Sequence, residues 1–360
     1  MTTFNPQDTQ HMQRALELAW QGRFSTSPNP RVGCVIAHGS QIVGQGFHVQ
    51  AGSPHAEVHA IRQAGELARG ATAYVTLEPC SHYGRTPPCA EGLIAAGVSR
   101  VVAAMTDPNP LVAGKGLAML QAAGIAVEQG LLEHEARQLN RGFLSRIERN
   151  RPFVSLKIAA SLDGKTALSN GQSQWITGAA ARADVQIQRA QSCAVLTGIG
   201  TVLADNPRLN VRDFPTVRQP LRVVLDSQLR TPESSHIIQD GQRTLIITTS
   251  PDTQKFAAYA NVEISKQPAP ISLPEVLHEL AQRGIGELMI EAGSHLASAF
   301  LQQDLLDEIV YYQAPKLLGD TARGAFLLPE NDDMLRQNPA WQTVSLDRVG
   351  DDIKWVLQKR

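Results

Sequence analysis

Residues 55 to 89 bring together His55-Ala56-Glu57, Pro79-Cys80 and Pro88-Cys89, which is one imidazole, one carboxylate and two thiols. An imidazole and two thiolates fill three positions of a tetrahedral Zn²⁺ and leave the fourth for water, which separates a catalytic zinc site from a structural one. Bound zinc brings the pKa of such a water toward neutrality. Glu57 stands two residues beyond His55, placed to take the water's proton and deliver it to a ring nitrogen and then to departing ammonia. The chemistry that suits an H-x-E…P-C pattern is hydrolytic deamination of a base. Here residues 81–88 separate the cysteines, where the usual pattern has two residues. Gly84, Pro87 and Pro88 suit a loop that returns Cys89 to the metal.

His55 and His59 also share a helical face at i, i+4, the spacing of a metalloprotease pair. In that motif the base directly follows the first His, and here Ala56 occupies that place. The two Pro-Cys pairs would also stay without a role, so His59 reads as a core-edge histidine. Cys34 and Cys193 read as small buried hydrophobes.

Around these residues the first 150 positions alternate helix and strand signals. Met12, Ala15, Leu16 and Ala19 lie at helical spacing, with Asp8 as the expected cap. Residues 32–37 and 41–46 read as a hairpin around His38-Gly39-Ser40. A helix is expected over 55–67, a strand over 73–77 and a helix from Pro88. A strand over 100–105, a helix over 115–123 and a strand over 125–128 complete the set. Such alternation predicts a mostly parallel sheet covered by helices, with His55 opening a helix and Cys80 following a strand end, where α/β sheets bind ligands. Residues 131–148 read as one amphipathic helix closing the first domain. The boundary falls at Arg149-Asn150-Arg151-Pro152, giving domains over 1–150 and 151–360.

The second half is less explicit. It has no G-x-G-x-x-G after its first strand, expected over 153–158. Two strand–glycine–helix junctions could hold an anion: 194–197 into Gly198-Ile199-Gly200-Thr201, and 287–290 into Glu291-Ala292-Gly293-Ser294. Asp163-Gly164 reads as a turn.

With 360 residues, 42% hydrophobic and 19% charged, the composition is that of a soluble two-domain protein. A net charge of −1 gives no electrostatic reason to expect nucleic acid or a membrane surface as partner. The MTTFNPQDTQ start shows no secretory pattern, no stretch reaches the length of a membrane span, and four cysteines are too few for a disulfide framework. The expected location is the cytoplasm, and the expected assembly a homo-oligomer.

The segments STSPNPRVGCV, SPHAEV, TLEPCSHYGRTPPCA and TDPNPLVAGKG resemble the deaminase half of the bifunctional riboflavin-biosynthesis deaminase/reductase family. RPFVSLKIAASLDGKTA, SQWITG, TGIGTVLADNPRLNVR, ELMIEAGSHLASAF and DEIVYYQAPKLLG resemble its reductase half. The resemblance implies an α/β chain with a cytidine-deaminase-like three-layer domain and a dihydrofolate-reductase-like domain, using Zn²⁺ and NADPH. It implies His55, Cys80 and Cys89 on zinc and Glu57 as the catalytic shuttle. Asn29, His48, Ala56, His82, Arg85, Asp107 and Asn109 would surround a phosphoribosylaminopyrimidine. In the second half Ala159, Trp175, Thr201, Asp205, Ser227, Gly293, Ser294, His295, Leu296, Ala297, Ser298 and Ala299 would meet NADPH. Lys157, Ser173, Arg189, Leu209, Arg212 and Glu291 would meet the substrate, whose ribosyl group is reduced to ribityl. From their own chemistry, Asn29 and Asn109 are equally turn formers, and Arg85 is either a phosphate partner or an exposed loop cation. Two other readings stay open: a cytidine or nucleic-acid-base deaminase with an accessory domain, favoured by a basic groove, and a zinc-stabilised binding module, favoured by a fourth protein ligand.

Overall fold

The computed structural model describes residues 4–83, 87–110, 112–329 and 340–360. It divides the chain into two compact units, Met1–Asn150 and Arg151–Arg360. Among the described residues no helix is long and apolar enough to cross a membrane.

The first unit contains helices α1 (Pro6–Gln21), α2 (Ala56–Ala64), α3 (Cys89–Ala96), α4 (Lys115–Ala122), α5 (Glu133–Leu139) and α6 (Arg141–Arg149). Its strands are β1 (Gly33–His38), β2 (Gln41–Phe47), β3 (Thr72–Val75), β4 (Arg100–Ala103) and β5 (Ala126–Gln129), ordered β2-β1-β3-β4-β5. Strand alternation divides the core. Cys34, Ile36, Ala73, Val75 and Val101 pack under α2, α3 and α4, whereas Val35, Ala37, Tyr74 and Val102 pack under α1, α5 and α6. The result is a three-layer sandwich. Glycines in β2 admit α2: a Cβ on Gly46 would lie 2.5 Å from the His59 Cβ and 2.7 Å from the Ala56 carbonyl oxygen.

Three expectations need correcting here. The sheet is mixed, because β1 runs antiparallel to both β2 and β3 and only β3, β4 and β5 are parallel; the two-residue turn of the hairpin forces the first reversal. The cap of α1 is Asn5. Asp8 is its partner at N3, and the two side chains accept each other's backbone N–H in a capping box. The single helix expected over 131–148 is two helices. They break at Asn140, whose amide group accepts from the Arg31 N–H at 2.8 Å and donates to the Arg31 carbonyl at 3.0 Å. That reciprocal pair competes with helix continuation.

The second unit contains helices α7 (Ala179–Gln191), α8 (Ile199–Asp205), α9 (His236–Gln239), α10 (Leu273–Gln282) and α11 (Ser294–Gln302). Its strands run β6 (Phe153–Ser161), β7 (Lys165–Ala167), β8 (Ala194–Gly198), β9 (Leu221–Leu225), β10 (Thr244–Thr248) and β11 (Val262–Lys266). They continue through β12 (Glu287–Ile290), β13 (Glu308–Ala314), β14 (Arg323–Gly324), β15 (Trp341–Val349) and β16 (Asp352–Lys359). Nine of these form one sheet, ordered β11-β10-β9-β8-β12-β6-β13-β16-β15, while β14 pairs with β7. The sheet is parallel from β11 to β13 and closes with the antiparallel β15–β16 hairpin. In β6, Val154, Leu156, Ile158 and Ala160 enter the core that α10 and α11 cover. Lys157 takes the other face, where Val195, Met289, Val310 and Tyr312 pack with α7.

Candidate active sites

In the first unit the three donors converge because two helix starts and one strand end meet. His55 is the N-cap of α2, Cys89 is the first residue of α3, and Cys80 lies five residues past β3. His55 Nδ1 is 3.2 Å from Cys89 Sγ and 3.6 Å from Cys80 Sγ, and the Cys89 N–H points at Cys80 Sγ at 3.3 Å. The donor atoms of all three lie within 4.8 Å of one another. Hydrogen bonds from Cys89 and His55 draw the Cys80 thiol down to about 4, and the proton shared with Cys80, together with burial, pushes Cys89 up. His55 is raised by its bond to Cys80. The triad is thus a proton-rich cluster already holding a thiolate, and a divalent cation would displace the remaining protons.

Glu57 sits in the first turn of α2, buried, with Oε2 unpartnered. Burial pushes its carboxyl up to about 7. Cys34 is fully buried in β1, and burial raises its thiol, with the Glu57 charge adding to the effect. His59 has a buried Nε2 without a partner and stands outside the triad.

Asn29 and His48 form a pair: the Asn29 amide nitrogen is 3.1 Å from His48 Nε2, and His48 Nδ1 is 3.2 Å from the Pro54 carbonyl. Donation from Nδ1 to Pro54 leaves Nε2 to accept from Asn29. Burial lowers the His48 pKa, favouring that neutral form. The His48 ring stands edge-on to His55, with centroids 5.4 Å apart. Ala56 is buried at the start of α2. His82 is exposed beside Asp107, whose carboxyl burial raises and the His82 charge partly offsets. Asp107 Oδ1 accepts the Asn109 N–H at 2.8 Å. Arg85 lies outside the described residues.

One residue here escaped the sequence reading. Glu78, buried between β3 and Cys80, accepts backbone N–H groups from Asp107, Gly114, Gly116 and Leu117. The available signal was a carboxylate immediately before the first Pro-Cys.

In the second unit Lys157, Arg189 and Glu291 come together from β6, α7 and the end of β12. Arg189 grips Glu291 with two bonds of 2.5 and 2.9 Å, and Lys157 Nζ lies 3.9 Å from Glu291 Oε2. Burial alone would raise the Glu291 carboxyl, but Arg189 and then Lys157 outweigh it and hold the group near 2. Burial lowers the Lys157 pKa. Arg212 is exposed, and its guanidinium donates to the Asn210 side chain while Arg189 donates to the Asn210 carbonyl. Asn210, together with Gln186, which accepts the Arg212 N–H at 3.1 Å, was not foreseen. Leu209, buried beside them, holds a φ of 51°.

Apart from Trp175, which lies between β7 and α7, the residues expected to meet a dinucleotide lie near or after the carboxyl ends of parallel strands, or in α8 and α11. Ser173 Oγ bonds Asp205 Oδ1 at 3.2 Å, joining one expected substrate residue to one expected cofactor residue. Trp175 is 62% exposed beneath the Arg182 guanidinium, 4.6 Å from its ring centre. Thr201 lies in α8, Ala159 is half-buried in β6, and Ser227 is exposed just after β9. Of the α11 residues, Gly293, Ser294, His295, Leu296 and Ala299 keep some exposure, whereas Ala297 packs in the core and Ser298 accepts the Leu327 N–H at 2.7 Å. A Cβ built at Gly293, the N-cap of α11, or at Gly200, inside α8, would meet nothing within 4 Å, whereas one at Gly198, the N-cap of α8, would meet Leu296 Cδ2 at 3.4 Å, so the open helix start is that of α11.

Fold and donor set together define a class: a zinc-dependent deaminase unit followed by a second α/β enzyme unit. Residues 5–105 match a family described as the cytidine and deoxycytidylate deaminase zinc-binding region, and residues 152–355 match the RibD C-terminal domain family. The riboflavin biosynthesis protein RibD of Haemophilus influenzae is 50% identical, with 98% of each chain covered. That of Escherichia coli is 50% identical over 96% of this chain and 98% of the relative. Among solved structures, RibD of Acinetobacter baumannii superposes with a TM-score of 0.92 at 48% identity, covering 98% of this chain and 99% of that one. A diaminohydroxyphosphoribosylaminopyrimidine deaminase/5-amino-6-(5-phosphoribosylamino)uracil reductase of Thermotoga maritima gives a TM-score of 0.89 at 34% identity over the same shares.

The chain belongs to the RibD family. It is a bifunctional enzyme of riboflavin biosynthesis, with a cytidine-deaminase-like half that is a zinc-dependent hydrolase and a dihydrofolate-reductase-like half that is an oxidoreductase working with NADPH.

Proposed function

We propose that residues 1–150 deaminate 2,5-diamino-6-(5-phosphoribosylamino)pyrimidin-4-one and that residues 151–360 reduce the ribosyl group of the resulting uracil derivative to ribityl. The observation that carries this reading is the convergence of His55, Cys80 and Cys89 beside a buried Glu57 whose Oε2 has no hydrogen-bond partner. One nitrogen and two sulfur donors at this separation fit Zn²⁺. Bound there, the metal would supply Lewis-acid activation of a water. Glu57 Oε2 takes the proton of the attacking water and returns it to the ring nitrogen. A second transfer, to the exocyclic amino group, lets ammonia leave as the carbonyl forms. Asn29, the neutral His48 oriented by Pro54, Ala56, His82, Arg85, Asp107 and Asn109 bind the pyrimidine and its phosphate.

Bound in the second unit, NADPH would supply a hydride for C1′ of the opened sugar. Ala159, Trp175, Thr201, Asp205, Ser227 and the segment 293–299 would hold the cofactor, the open space at Gly293 suiting a phosphate at the start of α11. Lys157, Ser173, Arg189, Leu209, Arg212 and Glu291 hold the substrate. Glu291 fixes Arg189 and Lys157 so that their cationic groups meet a phosphate or carbonyl in one orientation.

The test is ammonia release and NADPH consumption on the phosphorylated pyrimidine, with cytidine and deoxycytidylate as control substrates. Ammonia release from the pyrimidine followed by NADPH consumption is expected. Preferential turnover of either control would overturn the substrate assignment.

We also infer a cytoplasmic, homo-oligomeric enzyme acting on no nucleic acid. Four free cysteines, two of them in the metal triad, suit a reducing compartment. The outermost strand β15 exposes Val344 and Leu346, and Trp355 is exposed on the neighbouring β16, an edge suited to pairing with a second copy. Light scattering of the purified protein reads the assembly, and cell fractionation the location.

A further inference from the structure

We infer that Glu78 is a positioning residue for deamination, tying Asp107 and the start of α4 to the loop after β3 that carries Cys80. Glu78 is 4% exposed. Its Oε2 accepts the N–H groups of Asp107 at 3.1 Å and Gly114 at 2.9 Å, and its Oε1 those of Gly116 at 2.8 Å and Leu117 at 3.4 Å. Its own N–H donates to the Met105 carbonyl at 2.9 Å. The N-cap of α4 is Gly114, which has no side chain to satisfy the first N–H groups of that helix. Glu78 takes that place from a distant part of the chain, with its negative charge at the positive helix end. Gly116 completes the lock: a Cβ there would lie 1.9 Å from the Pro79 carbonyl oxygen, so the helix start rests directly on the residue before Cys80.

The same carboxylate therefore fixes Asp107, whose side chain in turn orients Asn109. Both ends of this arrangement meet the deaminase site, the metal ligand on one side and the two substrate groups on the other. The inference rests on the proposed substrate role of Asp107 and Asn109. Glutamine at position 78 keeps the volume but turns an NH₂ toward backbone N–H donors, so the loop must shift, and a displacement on the order of 1 Å at a substrate-positioning group costs up to about 10²-fold.

The experiment compares Glu78→Gln, Gly116→Ala, Asp107→Ala and Asn109→Ala in the full-length zinc-loaded protein. Zinc content, deaminase KM and kcat, and NADPH consumption on pre-deaminated substrate are measured for each. Glu78→Gln and Gly116→Ala are expected to keep their zinc and the reductase rate while raising the deaminase KM about tenfold or more. Unchanged KM in Glu78→Gln, with KM raised in Asp107→Ala or Asn109→Ala, would overturn the clamp alone. Loss of zinc together with kcat in Glu78→Gln would also overturn it, making Glu78 a support of the metal site. Unchanged KM in both Asp107→Ala and Asn109→Ala would remove the substrate reading beneath it.

Discussion

Glu57 is the residue on which the deaminase chemistry turns, and its surroundings meet two opposed demands. A shuttle must accept a proton readily and surrender it as readily, which places its best pKa near the working pH. Burial lifts Glu57 to about 7, and its Oε2 has no protein hydrogen-bond partner. Such an uncompensated group belongs at a functional site. Replacing Glu57 with Gln preserves shape and removes the exchangeable acid, so zinc content should stay unchanged while ammonia release falls by about 10²–10⁴-fold. Metal analysis beside an ammonia assay checks this; turnover at the normal rate would end the shuttle assignment. Glu57 was legible because H-x-E is a local spacing. Glu78 was not, since its partners lie 29 to 39 residues further along and are backbone N–H groups, which carry no sequence signature.

At the scale of elements, α1 is held to the sheet by a buried charge. Asp8 accepts from the Tyr74 hydroxyl at 2.8 Å and from Arg100 at 2.7 Å, and Arg100 also pairs with Glu128 of β5. Burial would raise the Asp8 carboxyl, but the bonds from Arg100, Asn5 and Tyr74 prevail and bring it to about 2. Unfolded, it titrates near 3.9. The folded pKa is the lower one, so this stabilisation is full above pH about 5 and disappears as pH falls toward 2. Asp8→Asn should remove it at neutral pH and flatten the acid limb. Amide exchange along α1 at several pH values measures both effects; unchanged protection would show the cluster to be neutral for stability. The elements themselves were largely readable from period-2 and helical spacing, but the break at Asn140 was not. The apolar stripe of residues 131–148 continues across it, and the cause is Arg31, 109 residues away. Asn140→Ala should therefore loosen the α5–α6 corner by about 1–3 kcal/mol, as two buried Arg31 backbone groups lose their partner, and show first as faster amide exchange there.

The whole molecule carries two chemistries whose parts are drawn from separate stretches of chain. The zinc donors and Glu57 fall between residues 55 and 89, close enough in sequence to be read as a motif. Lys157, Arg189, Arg212 and Glu291 come from a strand, a helix, a loop and a strand end, and only the fold shows that one carboxylate joins the first two. Cys80→Ser removes a thiolate from the metal triad, which lies within the first unit, so the full-length variant should lose zinc and ammonia release. Its NADPH consumption on pre-deaminated substrate should match that of the parent chain. Lys157→Ala makes the opposite cut. It takes a half-buried cation from beside Glu291 while Arg189 keeps its two bonds, so deamination should be spared and reduction should fall on the order of 10²-fold. Chelation of zinc from the unaltered chain should reproduce the Cys80→Ser pattern, because only one of the two chemistries uses the metal. Zinc content and the two rates measured on each preparation decide the matter. If Cys80→Ser, folded and soluble, loses both activities, the reductase depends on an intact deaminase unit, and the division of labour at residue 150 cannot stand.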